Sequence, residues 1–247
     1  MFVSSDSRRG PAGQVDVAFT DRFGGVSQPP YDSLDLRDGG PGREAELEAN
    51  LAAVARALGA PGLATMRQVH GAEVAVVTGA TYSVPRCDGL VTTVAGLALC
   101  VRVADCVPVV LADEVHGVLG VAHAGRAGVV AGVVAATLVA MRDLGAERIT
   151  AWVGPHICGG CYEVPRALRA EVATVSPAAF ACTTWGTPAL DLGAAVQAQL
   201  AAGGCEVVDR SRCTRESDDL FSYRRDGDLS GRLGGLVVLR EEVVGHG

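Results

Sequence analysis

The sequence contains no lysine: all 21 basic residues are arginines, set against 28 acidic residues, and the net charge is −7. Without lysine the chain cannot use a Walker-type phosphate lysine, a Schiff-base lysine or a lysine nucleophile, so P-loop NTPases and pyridoxal-phosphate enzymes are excluded. The arginines form no dense basic block, and the acidic balance removes non-specific attraction to nucleic acid and anionic lipid. We expect neither to be a partner.

Long apolar runs and an export signal are also missing. The longest weakly polar run lies between Arg126 and Arg142 and contains glycines, which falls short of the ~20 apolar residues of a membrane span. Residues 1–9 lack the basic and then apolar design of a secretory signal. We expect a cytoplasmic protein whose cysteines stay reduced.

Eight cysteines in 247 residues are too sparse for a disulfide framework, so we interpret them as free thiols or metal ligands. Four are predicted to be buried, because they lie in or beside apolar, strand-like segments: Cys87, Cys100, Cys182 and Cys205. Cys158 and Cys161 form a C-x-x-C pair that shares a loop with His156. Tyr-Glu-Val-Pro separates the pair from the next helical pattern, so we interpret a pocket-lining loop rather than a thioredoxin-like redox motif.

Apolar periodicity predicts the secondary structure. Apolar residues spaced 4, 3 and 4 apart predict a helix over 44–58, and further helices are predicted over 165–175 and 191–202. A helix over 128–144 is apolar on nearly all sides, which places it between layers. Strands are predicted over 64–69, 73–77, 89–93, 97–103, 107–112, 118–122, 148–153, 206–209 and 235–244. Strands clustered between helices predict one α+β or layered α/β domain.

Three candidate metal ligands lie where buried strands end or break: His70, Cys106 and His123. Zinc accepts such nitrogen and sulfur donors, and three protein ligands leave a position open for chemistry. The gaps between the three match no compact zinc motif, so hydrogen-bonded structural histidines are an alternative. A papain-like pair, with Cys106 as a metal-free nucleophile and a histidine as base, uses the same side chains.

Copper is disfavoured by the scarcity of histidine. Five histidines cannot supply several imidazoles to each of several copper ions, and a blue-copper site would need a histidine or methionine soon after Cys106. Copper (Cu²⁺) therefore stays an alternative to zinc.

A series of ordered motifs resembles the laccase-domain family, whose members are also called YfiH-type multicopper polyphenol oxidases and purine nucleoside phosphorylases. The motifs are Arg22-Phe-Gly-Gly-Val-Ser, Arg67-Gln-Val-His70-Gly, Cys87-Asp-Gly-Leu-Val-Thr-Thr, Val103-Ala-Asp-Cys106-Val-Pro, Ala122-His123-Ala-Gly125, Gly154-Pro, Cys161-Tyr-Glu-Val and Phe221-Ser-Tyr-Arg-Arg-Asp-Gly227. They extend over almost the whole chain.

The resemblance implies a single domain over residues 1–247, built as a layered α/β/β/α sandwich with mixed central sheets. It implies zinc on His70, Cys106 and His123, and phosphorolysis of adenosine, inosine and methylthioadenosine together with adenosine deamination. The partners would be a purine nucleoside and inorganic phosphate. Alternatives within the family are a peptidoglycan-editing amidase acting on UDP-muramyl-amino acid precursors and a laccase-like copper polyphenol oxidase. The sequence leaves monomer and homodimer open.

Further roles fall on residues in or beside these motifs. Asp88 and Asp105, with Cys106, are the candidate catalytic residues, since either carboxylate could orient a ligand histidine or move a proton; for Asp105 the alternative is a strand-end partner of Arg102. Arginine suits phosphate because its planar fork donates bidentately. The candidate phosphate ligands are Arg67, Arg126, Arg224 and Arg225, with surface ion pairing as the alternative. Arg126 replaces the tryptophan common in the family.

Overall fold

A computed structural model describes residues 1–38, 42–79 and 84–241. Within them the strands are β1 (Phe2–Gly10), β2 (Gly13–Thr20), β3 (Gly62–Ala64), β4 (Val74–Val76), β5 (Gly89–Thr92), β6 (Leu97–Val103), β7 (Val107–Asp113), β8 (Val118–Ala124), β9 (Thr150–Val153), β10 (Phe180–Cys182), β11 (Pro188–Leu190), β12 (Glu206–Asp209) and β13 (Leu233–Arg240). The α-helices are α1 (Glu44–Ala57), α2 (Arg126–Ala131), α3 (Val133–Asp143), α4 (Arg166–Val175), α5 (Leu192–Ala202) and α6 (Tyr223–Asp226).

The strands form two large mixed sheets. The first has the order β1-β2-β13-β6-β3 and the second β12-β9-β7-β8-β5-β4, while β10 and β11 make a separate short hairpin. Each sheet combines antiparallel pairs with parallel ones, such as β3 with β6 and β4 with β5. Strands β6, β7 and β8 are buried along their whole length, which explains why they are apolar on both faces.

The two sheets pack face to face between outer layers of helices. Phe19 and Leu99 of the first sheet share one apolar cluster with Val110 and Trp152 of the second. Helix α1 covers the outer face of the first sheet through Val54, and α3, α4 and α5 cover the second. The predicted α+β class and α/β/β/α layering are confirmed.

The predicted interior helix over 128–144 is wrong in two respects. The segment forms two helices, α2 and α3, separated by Gly132 in the left-handed region (φ 86°). Helix α3 lies on the outside of the second sheet, burying Val134 and Leu138 while Val139 is 55% exposed. Its apolar character all round reflects small alanine and valine side chains on the solvent side rather than burial on every side.

Other expectations need smaller corrections. The strand predicted over 64–69 is wrong beyond Ala64, because β3 spans Gly62–Ala64. Of the four cysteines expected to be buried, Cys87 and Cys100 are, but Cys205 is half-buried and Cys182 is exposed, since it ends the peripheral strand β10. Strand β13 ends at Arg240, and residues 242–244 of the predicted strand lie outside the described residues.

None of the helices in the described ranges has the length and apolar character needed to cross a membrane.

Candidate metal centre and arginine-lined cavity

Three elements bring the candidate ligands together. Cys106 lies in the turn between β6 and β7, His123 lies on β8 opposite Pro108 of β7, and His70 lies between β3 and β4. One ligand atom from each of the three residues lies within 4.8 Å of the others. The two imidazole rings meet edge to face, with centroids 4.7 Å apart. This separation suits coordination of one ion by all three side chains.

Asp88 is hydrogen-bonded to both candidate histidine ligands. Its fully buried carboxylate accepts hydrogen bonds from the backbone N–H of His70 (2.9 Å) and Gly71 (2.7 Å). It also lies 2.8 Å from Nδ1 of His123, an arrangement that leaves Nε2 for a metal. Burial alone would raise the pKa of Asp88, but the bonds from His123 and Gly71 outweigh it and lower the pKa. Asp88 is therefore a charged, buried group behind the candidate ligands and does not line the cavity.

The space between the three ligands depends on Gly125. A Cβ atom at this position would lie 2.9 Å from Cδ2 of His70 and 3.1 Å from Sγ of Cys106. His70 itself has a left-handed backbone (φ 61°), a conformation that is costly for a residue with a side chain and persists where its surroundings impose it. The bonds from Asp88 supply that constraint.

The candidate ligands Cys106 and His123 change each other's pKa values. Burial raises the pKa of the Cys106 thiol, but His123 and His70 outweigh that effect and lower the pKa to about 6. Burial lowers the pKa of His123, whereas Cys106 and Asp88 raise it to about 9. A thiolate is thus available at neutral pH, whereas the ring of His123 holds a proton that a metal would displace on binding. The thiolate and the two imidazoles would then form a donor set that zinc accepts.

The ligands open into a cavity of about 930 Å³ whose wall includes His70, Cys106 and His123. Five arginines and two aspartates also lie on the wall: Arg37, Arg67, Arg102, Arg224, Arg232, Asp38 and Asp105. Burial, followed by the charge of Arg37, lowers the pKa of Arg232. The excess of positive charge makes the cavity suitable for an anion.

The predicted phosphate ligands separate into two groups. Arg67 and Arg224 lie on the cavity wall, and the guanidinium of Arg67 makes no hydrogen bond within the described residues. Arg126 opens α2 and is not part of that wall. Arg225 points its guanidinium at Asp226 and at the carbonyls of Thr214 and Leu220. Its donors are used within the fold, so we remove it from the candidate phosphate ligands.

Asp105 lies on the wall but is engaged on both oxygens. It accepts hydrogen bonds from the hydroxyl of Thr214 (2.6 Å) and the backbone N–H of Arg224 (2.5 Å), rather than from Arg102. Its backbone is left-handed, with φ 82°. Asp105 thus fixes the 214–224 segment beside Cys106, which fits a positioning role better than proton transfer.

Several wall residues carry no role in the sequence-based prediction. Tyr162 lies on the wall with the guanidinium of Arg224 stacked 4.8 Å from its ring, and burial raises the pKa of its phenol. Arg102 and Arg232 come from β6 and from the segment before β13. The sequence shows these two arginines as charged residues within or beside an apolar strand pattern. Only the packing of the sheets shows that both line one cavity.

The chain is thus a two-sheet sandwich with a candidate metal centre, a His-Cys-His cluster on the wall of an arginine-lined cavity. Residues 16–240 match the family described as multi-copper polyphenol oxidoreductase laccase, and the chain belongs to this family. A purine nucleoside phosphorylase of Streptomyces coelicolor is 54% identical over 230 residues, covering 90% of this chain and 94% of the relative. The protein of that name from Deinococcus radiodurans is 40% identical, with 94% and 92% covered.

Solved structures agree with this assignment. A Neisseria meningitidis protein superposes with a TM-score of 0.84 at 31% identity, covering 97% of this chain and 99% of its own. The YlmD protein of Geobacillus stearothermophilus gives a TM-score of 0.81 at 29% identity, with 92% of each chain covered.

Proposed function

We propose that the chain is a zinc-dependent purine nucleoside phosphorylase that accepts adenosine, inosine and methylthioadenosine and also deaminates adenosine. The observation that carries the proposal is the three-ligand cluster opening into a cavity lined by five arginines. The names of the relatives from Streptomyces and Deinococcus support the nucleoside substrate. We further propose that the protein works in the cytoplasm.

His70, Cys106 and His123 would hold the zinc, which Gly125 leaves room for and Asp88 orients. When bound there, zinc supplies Lewis-acid polarisation of an atom at its open coordination position. Zinc is favoured over copper because His116 and His156 are engaged elsewhere, with Asp113 and the Gly154 carbonyl. The described histidines therefore do not assemble a second imidazole cluster for a multicopper centre.

Phosphorolysis breaks the bond between C1′ of the ribose and N9 of the purine, joins a phosphate oxygen to C1′, and places a proton on the departing base. Arg67 is the first candidate to bind the phosphate, because its guanidinium is unengaged within the described residues, and Arg102 and Arg232 add positive charge around it. Tyr162 remains protonated at neutral pH and can donate a hydrogen bond to the purine.

Four parallel incubations test the activity. Adenosine and inosine, each with and without inorganic phosphate, are followed by chromatography for adenine, hypoxanthine and inosine. The proposal expects phosphate-dependent release of the free bases, and phosphate-independent conversion of adenosine to inosine. Release of amino acid from a UDP-muramyl precursor without nucleoside cleavage would assign the amidase function instead, and oxygen-dependent phenol oxidation would assign the oxidase.

A second test concerns the phosphate site. Arg67→Gln should raise KM for phosphate about tenfold or more, since a charged hydrogen bond contributes ~1.5–3 kcal/mol, while the zinc content stays unchanged. Arg148→Gln, an exposed arginine before β9, is the matched control. An unchanged KM in Arg67→Gln would remove this residue from the phosphate site.

A further inference from the structure

A second group of potential metal ligands lies outside the cavity wall. Sγ of Cys158, Cys161 and Cys213 and a carboxylate oxygen of Glu216 all lie within 4.8 Å of one another. None of the four residues is on the wall of the cavity described above, although Ile157 and Tyr162 of the same loop are. The reaction proposed for the cavity therefore gives these three thiols no role.

Backbone hydrogen bonds fold the loop that carries Cys158 and Cys161 into a tight turn. The N–H groups of Cys161 and Tyr162 both donate to the Cys158 carbonyl, at 3.0 and 3.1 Å, which closes a tight turn around Gly159 and Gly160. The backbone N–H of Cys158 donates to Sγ of Cys213 (3.4 Å), and Cys161 Sγ lies 3.2 Å from Oε1 of Glu216. Each cysteine of the C-x-x-C pair thus contacts a donor 55 residues further along the chain, Cys213 for Cys158 and Glu216 for Cys161.

The donor set matches one metal chemistry. In a tetrahedral site, Zn–S bonds of ~2.3 Å place the sulfurs roughly 3.8 Å apart, which is compatible with the observed cluster. Three thiolates and one carboxylate also fill all four positions, the pattern of a structural rather than a catalytic zinc. Glu216 is exposed and the other donors are half-buried or buried, so an ion can enter from the solvent side.

We propose that Cys158, Cys161, Cys213 and Glu216 bind a second zinc ion, which fastens the 210–217 segment to the loop after β9.

The position of the cluster explains what such an ion would do. The two segments already form a bridge in which His156 N–H donates to the Arg212 carbonyl and Thr214 N–H donates to the His156 carbonyl, both at 3.0 Å. Thr214, next to Cys213, binds Asp105, which in turn accepts from Arg224. The second ion would therefore hold in place a segment that lies behind the cavity wall and contacts it through the hydrogen bond from Thr214 to Asp105.

The test measures zinc per chain by mass spectrometry in a protein whose first site is removed. The background variant is Cys106→Ser with His123→Ala, which deletes two of the three cavity ligands. We expect about two zinc ions per chain in the native protein and about one in the background variant. A background variant free of zinc would overturn the proposal, whatever the activity of the native enzyme.

The residual zinc must depend on the second cluster. Adding Cys158→Ser and Cys213→Ser to the background variant should remove it, whereas adding Cys182→Ser, an exposed cysteine that belongs to neither group, should leave it. Zinc retained after loss of Cys158 and Cys213 would overturn the proposal. Circular dichroism of each variant checks that the fold is kept.

Differential alkylation gives a test that needs no substitution. In the native chain, zinc should shield Cys158, Cys161 and Cys213 from alkylation, and a strong chelator should expose all three, while Cys182 reacts throughout. Labelling of the three thiols before chelation would overturn the proposal. So would labelling that appears only after reduction, because it would show a disulfide in place of the metal.

Discussion

The two clusters of metal-binding side chains differ in how many donors they contain and in what they face. The His70, Cys106 and His123 cluster has three donors and opens into the cavity, whereas the Cys158, Cys161, Cys213 and Glu216 cluster has four and lies off the cavity wall. Three donors leave one position for substrate and four leave none. In one chain, therefore, donor number and placement distinguish the centre proposed for catalysis from the centre proposed for support.

The thiols of the two clusters also differ. Imidazoles beside Cys106 outweigh its burial and lower its pKa to about 6. For Cys161, burial, followed by its hydrogen bond to Glu216, raises the pKa. The thiol of Cys106 is therefore ionised at neutral pH without a metal. The thiols of the second cluster would ionise when a metal ion binds them.

The largest expected effect comes from His123→Ala. Loss of this ligand should release zinc from the cavity site and lower kcat/KM for inosine by ~10³-fold or more, because a Lewis acid contributes several kcal/mol of transition-state stabilisation. Zinc content and turnover are measured on the same sample. Full turnover without zinc at the cavity site would show that the two clusters do not differ in the way described.

A smaller effect is expected from Asp88→Asn. The amide lacks the negative charge that orients His123. It also has one oxygen instead of two to accept hydrogen bonds from the N–H groups of His70 and Gly71. Zinc affinity at the cavity site should therefore fall ~10–100-fold. Competition with a chelator measures the affinity. At saturating zinc, kcat should largely recover; a kcat that stays ~100-fold low would make Asp88 a catalytic residue instead.

Cys213→Ser tests the structural role proposed for the second cluster. With the second ion lost, the segment carrying Thr214 and Arg224 should loosen, lowering kcat several-fold. Tm should fall by roughly 5–10 °C, which corresponds to about 2–4 kcal/mol for a chain of this size. Calorimetry and steady-state kinetics check both, with Cys182→Ser as control. A fall in cavity zinc equal to that of His123→Ala would show that the clusters form one unit.

The smallest expected effect is a difference between two pH profiles, with the overall activity of the protein left out of the measurement. In chelator-treated protein, alkylation of Cys106 should rise with pH and reach half of its plateau near pH 6, because its thiolate forms above a pKa of about 6. Cys161, whose pKa is raised, should still be increasing in rate well above pH 8. Peptide mass spectrometry separates the two, and identical profiles would contradict the difference in their surroundings.

Sequence reasoning predicted much of the central fold because continuous apolar runs mark buried strands, and the buried strand β6 has the predicted bounds. The edge strand β12, whose ends are exposed, also has them. It assigned no element to β1, a half-exposed edge strand whose residues are mostly polar. The convergence of His70, Cys106 and His123 was predictable because strand ends meet at sheet edges. For His70 the reason was incomplete: β3 ends at Ala64, and Asp88, rather than a strand, fixes the position of His70.

The second cluster was beyond sequence reasoning for a different reason. Its C-x-x-C pair was visible, but Cys213 and Glu216 are each 55 residues from their partner in that pair, and nothing local signals the contact. The same holds for the cavity arginines, which come from separate strands and turns. Local pattern predicts elements, while the pairing of distant turns depends on how the two sheets stack.

The single carboxylate of Asp88 has a mechanical consequence. It accepts hydrogen bonds from the backbone N–H groups of His70 and Gly71 and lies 2.8 Å from Nδ1 of His123. The backbone that carries His70 and the ring of His123 therefore share one point of attachment, although they are 53 residues apart in the sequence. A change at this one side chain would release two of the three candidate ligands at once.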